Sequence, residues 1–237
     1  MSAIKRVLCL HGYSQNALRL KQDMGPITKA LNNMEFVYID APHIATEPRN
    51  DQKLLQGKPY GWWNMSTARV WQDTQKSVQY LLDIMNTQGP FHGILGFSQG
   101  AAMIPVLLSI LNYKNLKHIT ANTEKELQFE RQFIDFLGPL KTKVDSIHNK
   151  EMFKFAILSG GFAPGKKVCL RLINSTPEIP VPSMHIIGKT DSVISNKQSI
   201  ELSQLFKNPE FVLHTGGHYV PFTKEYTSLY KNFIPKL

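Results

Sequence analysis

The segment GILGFSQGAAM, residues 93–103, limits the possible folds of this chain more than any other. Gly96-Phe97-Ser98-Gln99-Gly100 fits G-x-S-x-G, the sharp strand-to-helix turn that lifts a serine hydroxyl above a sheet. So short a motif recurs by chance, and its flanks must decide. An apolar run, Phe91 to Phe97, precedes it, and Ala101-Ala102-Met103-Ile104 followed by Val106-Leu107-Leu108 comes after. That order predicts a strand, a turn and a buried helix. Gly96 and Gly100 would let strand and helix approach closely around a serine held in strained dihedrals. A glycine-rich turn in an ordinary α/β protein has the same local pattern, so Ser98 needs partners before it can count as a nucleophile.

Other apolar runs bounded by turn residues predict strands near 4–10, 35–39, 153–158, 183–188 and 210–214, with 91–97 completing a set of six. Helical spacing lies between them. Val70, Thr74, Val78, Leu81 and Met85 mark one helix, with Ser66 as its N-cap and Gly89-Pro90 as its end. Leu202, Leu205 and Phe206 mark another, and Tyr226, Leu229, Tyr230 and Phe233 a last one. Strands alternating with helices predict an α/β chain with a mostly parallel sheet and helices on both faces. Two stretches break the rhythm. Residues 40–65 are polar and proline-bearing and end in the aromatic cluster Tyr60, Trp62 and Trp63. Residues 112–152 form a charged insertion in which Leu127, Phe129, Phe133, Ile134 and Leu137 are helically spaced. Loops this long in a compact domain are usually functional, and the two together would wall an apolar pocket for an acyl chain, with Trp62 and Trp63 touching substrate.

At 237 residues with 42% hydrophobic content, the chain can bury one sizeable core, so the expectation is a single domain over 1–237 with a cap segment inserted at about 112–152. No apolar stretch is long enough to span a bilayer, so stable membrane insertion is not expected. The first apolar run is too short for a signal peptide, and Cys9 and Cys169 are too few for a disulfide framework. The expected compartment is the cytoplasm, with the nucleus also open. The net charge of +9 could suggest nucleic acid. Much of the excess lies between Lys114 and Arg171, where eleven basic and six acidic residues stand, but the bases are spread singly, without aromatic interleaving. A solvated basic face explains that pattern better than a nucleic-acid platform.

Nucleophilic serine needs a general base, and the base needs an orienting acid. His218, in HTGGHYVPF, follows the strand 210–214, where Gly216-Gly217 can turn the chain and present the ring. In open α/β sheets such carboxyl-terminal strand ends converge on the ligand site. His11 also ends a strand, but Gly12 beside it suggests a backbone role instead. The acid should lie between serine and histidine in the chain. Asp191, in SMHIIGKTDSVIS, sits just beyond a strand, although a helix N-cap would suit it equally. An oxyanion would need backbone donors, and the amides of Gln99 and Tyr13 are placed for that task if the first and third strands are neighbours. Metal and phosphate motifs are lacking: His214 and His218 have Gly216-Gly217 between them, and SGGFAPGKK fits no phosphate loop. No cofactor is expected. A ligand-binding module on a repurposed hydrolase fold is the main alternative.

LCLHGYSQN, YIDAPH, GPFHGILGFSQGAAM, SGGF at 159–162, PSMHIIGKTD and GGHYVPF occur in that order over most of the chain. Together they resemble the FSH group (family of serine hydrolases), a fungal and animal branch of the α/β-hydrolase superfamily. The resemblance implies an α/β-hydrolase fold with a shortened sheet, and esterase or thioesterase activity on a small acyl ester without a metal. It also implies Ser98 as nucleophile, Asp191 as acid and His218 as base. The basic insertion 112–152 looks longer than is usual for the group.

Overall fold

A computed structural model describes residues 4–47, 56–65, 70–116, 123–147, 153–165 and 167–234. The order of elements is β1 (Lys5–Leu10), α1 (Ala17–Asp23), α2 (Gly25–Ala30), β2 (Met34–Ile39), β3 (His43–Ile44), β4 (Tyr60–Gly61), α3 (Val70–Gln88), β5 (Gly93–Phe97) and α4 (Gln99–Leu111). Then come α5 (Glu124–Asp145), β6 (Phe155–Ser159), α6 (Lys167–Ser175), β7 (Ser183–Gly188), α7 (Asn196–Ser203), β8 (Glu210–His214) and α8 (Lys224–Phe233). Six strands form one parallel sheet in the order β2-β1-β5-β6-β7-β8, and β3 pairs with β4 in a small antiparallel ribbon. All six predicted strands are present. The sheet is an α/β-hydrolase sheet, and its first strand lies beside β5, the condition on which the Gln99 and Tyr13 amides are expected to meet.

Burial explains why these runs became strands. β5, β6 and β7 are buried at every position, as interior parallel strands covered on both faces must be. The alternation divides the core in two. Leu8, Leu10, Ile94, Ala156 and Leu158 pack under α3, α4, α5 and α6, while Val7, Cys9, Leu95, Ile157 and Ile186 pack under α1, α2 and α8. Both cysteines are buried and free. Among the described residues no helix is long and apolar enough to cross a membrane.

Some expectations change. The predicted Ser66 cap falls outside the described residues. α7 ends at Ser203, and Leu205 and Phe206 belong to the turn after it, where the Leu205 amide donates to the Leu202 carbonyl. The insertion holds a longer helix than its spacing suggested, because α5 runs through Gly138-Pro139 to Asp145. Proline lacks the amide that would bond the Asp135 carbonyl. Gln75 Nε2 of α3 donates to that carbonyl instead (2.9 Å) and to the Phe136 carbonyl (2.7 Å). A capping box at Thr123 and Glu126 starts α5, and Arg171 of α6 braces it through Glu130 (3.1 Å) and over the Phe133 ring. Phe133, Phe136 and Leu137 are spent in the core, whereas Leu127 and Ile134 face solvent.

Candidate active site

Ser98 sits between β5 and α4 with φ 52° and ψ −117°, a left-handed conformation that lifts its side chain off both elements. The turn is possible because its flanking glycines leave no room for anything larger. A Cβ on Gly96 would lie 2.5 Å from the Ala101 amide nitrogen, and one on Gly100 would lie 2.3 Å from the Leu10 carbonyl oxygen of β1. The strained serine therefore rises where the helix, its own strand and the neighbouring strand are closest. Its amide donates to the Ser159 carbonyl at the end of β6 (2.8 Å).

One sequence-predicted partner reaches it, and the second reaches that partner. His218 Nε2 lies 2.9 Å from Ser98 Oγ, and His218 Nδ1 lies 2.7 Å from Asp191 Oδ2. A carboxylate only accepts, so the proton belongs on Nδ1, which leaves Nε2 free to accept from the serine hydroxyl. The imidazole rests against the Phe97 ring, 4.8 Å between centroids, and over Gly160, where a Cβ would come 2.8 Å from Cε1. Asp191 is fixed from its other oxygen: Oδ1 accepts from the amides of Val193 and Ile194, both at 2.8 Å. The cap of α7 is Ser195, in a capping box with Gln198, so Asp191 organises the turn before the helix rather than capping it.

The loop after β1 comes to the same place. A Cβ on Gly12 would lie 3.2 Å from Ser98 Cβ, which puts the Gly12-Tyr13 peptide beside the serine. The expectation that His11 acts through its backbone is only half of what the ring does. Its side chain is wholly buried, with Nδ1 2.7 Å from the Gly12 carbonyl and Nε2 2.9 Å from the Ala41 amide. Nδ1–H donates to the carbonyl and Nε2 accepts from the amide. Burial holds this imidazole neutral, pushing its pKa down to about 4 against smaller upward pulls from the Gly12 carbonyl and Asp40. The Gly12 carbonyl also accepts from the Gln15 amide (3.2 Å), so the Tyr13 N–H across the same peptide plane is turned the opposite way.

Sequence reasoning missed the side chain of Gln99. It is 1% exposed, its Oε1 accepts from the Trp62 amide and its Nε2 donates to the Trp63 carbonyl, both at 2.8 Å. The residue after the candidate nucleophile thus clamps the aromatic loop. Trp62, expected to touch substrate, is fully buried instead, and its Nε1 donates to the His11 carbonyl (2.9 Å). Trp63 does border a cavity of about 170 Å³, together with Met65, Val70, Thr74, Phe162, Pro164, Gly165 and Cys169. No residue of 127–137 lines it, so the expected contribution of the insertion to an apolar wall is corrected: Phe133, Phe136 and Leu137 fill the core between α5, α3 and α6, and Leu127 and Ile134 face solvent.

The family model described as "Serine hydrolase (FSH1)" matches residues 1–230. Esterase CG5412 of Drosophila melanogaster is 32% identical over 245 residues, which cover 97% of this chain and 73% of that protein. Esterase OVCA2 of Xenopus tropicalis is 31% identical over 249 residues, covering 98% and 93% respectively. Among solved structures, Arabidopsis thaliana SOBER1 superposes with a TM-score of 0.61 at 14% identity, covering 98% of both chains. The acyl-protein thioesterase 2 of Zea mays gives 0.59 at 14% identity, covering 99% of this chain and 96% of that one. These structural likenesses are likenesses of fold.

Proposed function

Since the chain belongs to the serine hydrolase (FSH1) family, we propose that it cleaves carboxylic esters or thioesters through an acyl-enzyme on Ser98. The observation that carries this is the unbroken line from Ser98 Oγ to His218 Nε2 (2.9 Å) and from His218 Nδ1 to Asp191 Oδ2 (2.7 Å). Relatives named as esterases in fly and frog support the same reaction class.

In this reading Ser98 Oγ attacks the acyl carbon while His218 Nε2 takes its proton, and Asp191 holds the imidazolium that forms. The anionic oxygen of the tetrahedral intermediate faces the amides of Tyr13 and Gln99, the latter at the positive end of α4. Collapse breaks the bond to the alcohol or thiol, which leaves with the proton from His218. Water then attacks the acyl carbon with His218 again as base, and the acid departs. The partner is a small acyl ester or thioester rather than nucleic acid, met in the cytoplasm. The chain works as one domain over 1–237, with α5 of the 112–152 insertion braced on α3 and α6. Hydrolysis of p-nitrophenyl butyrate, followed in the unmodified protein and in Ser98→Ala with matching circular dichroism, tests this. Turnover should vanish in the variant. Turnover absent from both would favour a ligand-binding module, and turnover retained in Ser98→Ala would move the nucleophile elsewhere.

A further inference from the structure

The cavity bordered by Trp63 is built on segments that are tied to the Ser98 turn. Its Trp63 wall is held by Gln99, the residue after Ser98, through the 2.8 Å bond to the Trp63 carbonyl. Its Phe162 wall follows Gly160, where a Cβ would come 2.8 Å from His218 Cε1, and Gly161, where a Cβ would meet Ala101 of α4 at 2.9 Å. Both walls are therefore tethered to residues that contact the serine–histidine pair. Trp63 and Phe162 meet edge to face, 6.2 Å between centroids.

Depth is set by other residues. Val70 and Thr74 of α3 and Cys169 of α6 are all buried, and behind them the core of α3, α4 and α6 is closed. The Thr74 hydroxyl is used within its helix, donating to the Val70 carbonyl (2.7 Å), so the floor offers little to a polar ligand. Burial pushes the Cys169 thiol up to about 11, against a smaller lowering by Thr74, and at neutral pH it is an uncharged wall atom. The rim differs, because Met65 and Gly165 are exposed. The space is apolar, shallow and closed at the bottom.

We propose that this cavity is the acyl subsite, and that Thr74 and Cys169 end it at the depth of a compact acyl group of about six carbons, linear or phenyl. The proposal rests on Ser98 acylation. Size carries it: an apolar cavity of about 150 Å³ holds one benzene, and this one is about 170 Å³. Methylenes within that depth leave water, and each should raise kcat/KM about fourfold. Methylenes beyond it emerge past Met65 into solvent and add nothing.

The test is kcat/KM for p-nitrophenyl esters from acetyl to dodecanoyl, together with phenylacetyl. It should climb from acetyl to hexanoyl, level off beyond, and treat phenylacetyl like hexanoyl. Cys169→Met, which fills the floor, should bring the plateau forward to about butyryl. Phe162→Ala, at a half-buried wall position where folding is less at stake, should lower the hexanoyl-to-acetyl ratio at least fivefold. Labelling of the unmodified protein by a small fluorophosphonate separates the two claims. If Ser98 labels but acetyl and hexanoyl esters are cleaved equally, or the climb continues to dodecanoyl, the subsite is wrong while the acyl-enzyme stands. If Ser98 does not label, both fall. An unchanged profile in both folded variants also overturns the subsite.

Discussion

Gln99→Ala should damage this protein far more than its position on a helix suggests. The substitution removes an amide that accepts from the Trp62 N–H and donates to the Trp63 carbonyl, each at 2.8 Å, in a place 1% exposed. A buried polar group left unpaired costs about 1–3 kcal/mol, so two orphaned backbone groups cost about 2–6 kcal/mol before any cavity forms. In a chain of this size each kcal/mol lowers Tm by roughly 2–4 °C, which centres the expected fall at roughly 8–16 °C. Gln99→Met separates the contributions, since it refills most of the volume and restores neither hydrogen bond. Thermal unfolding of the three proteins by circular dichroism at neutral pH is the assay. Gln99→Met should stay much closer to Gln99→Ala than to the unmodified protein. A Gln99→Met protein that melts within about 3 °C of the unmodified one would refute the clamp.

Three other outcomes follow from the geometry. Gly12→Val should lower kcat about a hundred- to a thousandfold, as loss of an oxyanion donor does, because even a Cβ there lies 3.2 Å from Ser98 Cβ and 3.1 Å from Phe97; near-normal turnover would remove Tyr13 from the oxyanion site. Stability should fall in acid through His11 and His185, whose pKa values burial lowers to about 4 from 6.5. The unfolded chain binds these protons first, so the stabilisation is complete above about pH 6.5 and drains towards pH 4 at up to about 1.4 kcal/mol per pH unit for each ring; urea midpoints that stay level between pH 7 and pH 5 would contradict this. Gln75→Ala should cost about 1 kcal/mol with Pro139 in place and less in Pro139→Ala, where the new amide can bond the Asp135 carbonyl; a double-mutant cycle with no coupling would deny that Gln75 bridges the gap.

What could be read from the sequence was local. The Ser98 turn announces itself because strained dihedrals and close approach demand small residues within a few positions of the serine. Fully buried strands such as β5 and β6 read as apolar runs for the same reason that they are covered on both faces. Asp191 and His218 were legible through their strand-end settings, and the distances from Ser98 to His218 and on to Asp191 bring both to one place. The missed features each depend on a contact distant in sequence. Gln99 looks like any polar residue opening a helix until Trp62 and Trp63 arrive from 37 and 36 positions earlier. The helical spacing of 127–137 gave no reason to continue past Gly138-Pro139, because Gln75, which supplies the missing donor, is 60 residues away from Asp135. Trp62 looked like a pocket wall because tryptophan in a loop suits either role, and only its bond to the His11 carbonyl decides for packing.

The role of Ser98 is tested most directly by treating the folded protein with a fluorophosphonate, digesting it, and locating the adduct by peptide mass. One adduct per chain is expected, on the peptide that carries Ser98. It should disappear in Ser98→Ala and form much more slowly in His218→Ala. An adduct on another residue, or one that persists undiminished in Ser98→Ala, would contradict the assignment of Ser98 as the nucleophile.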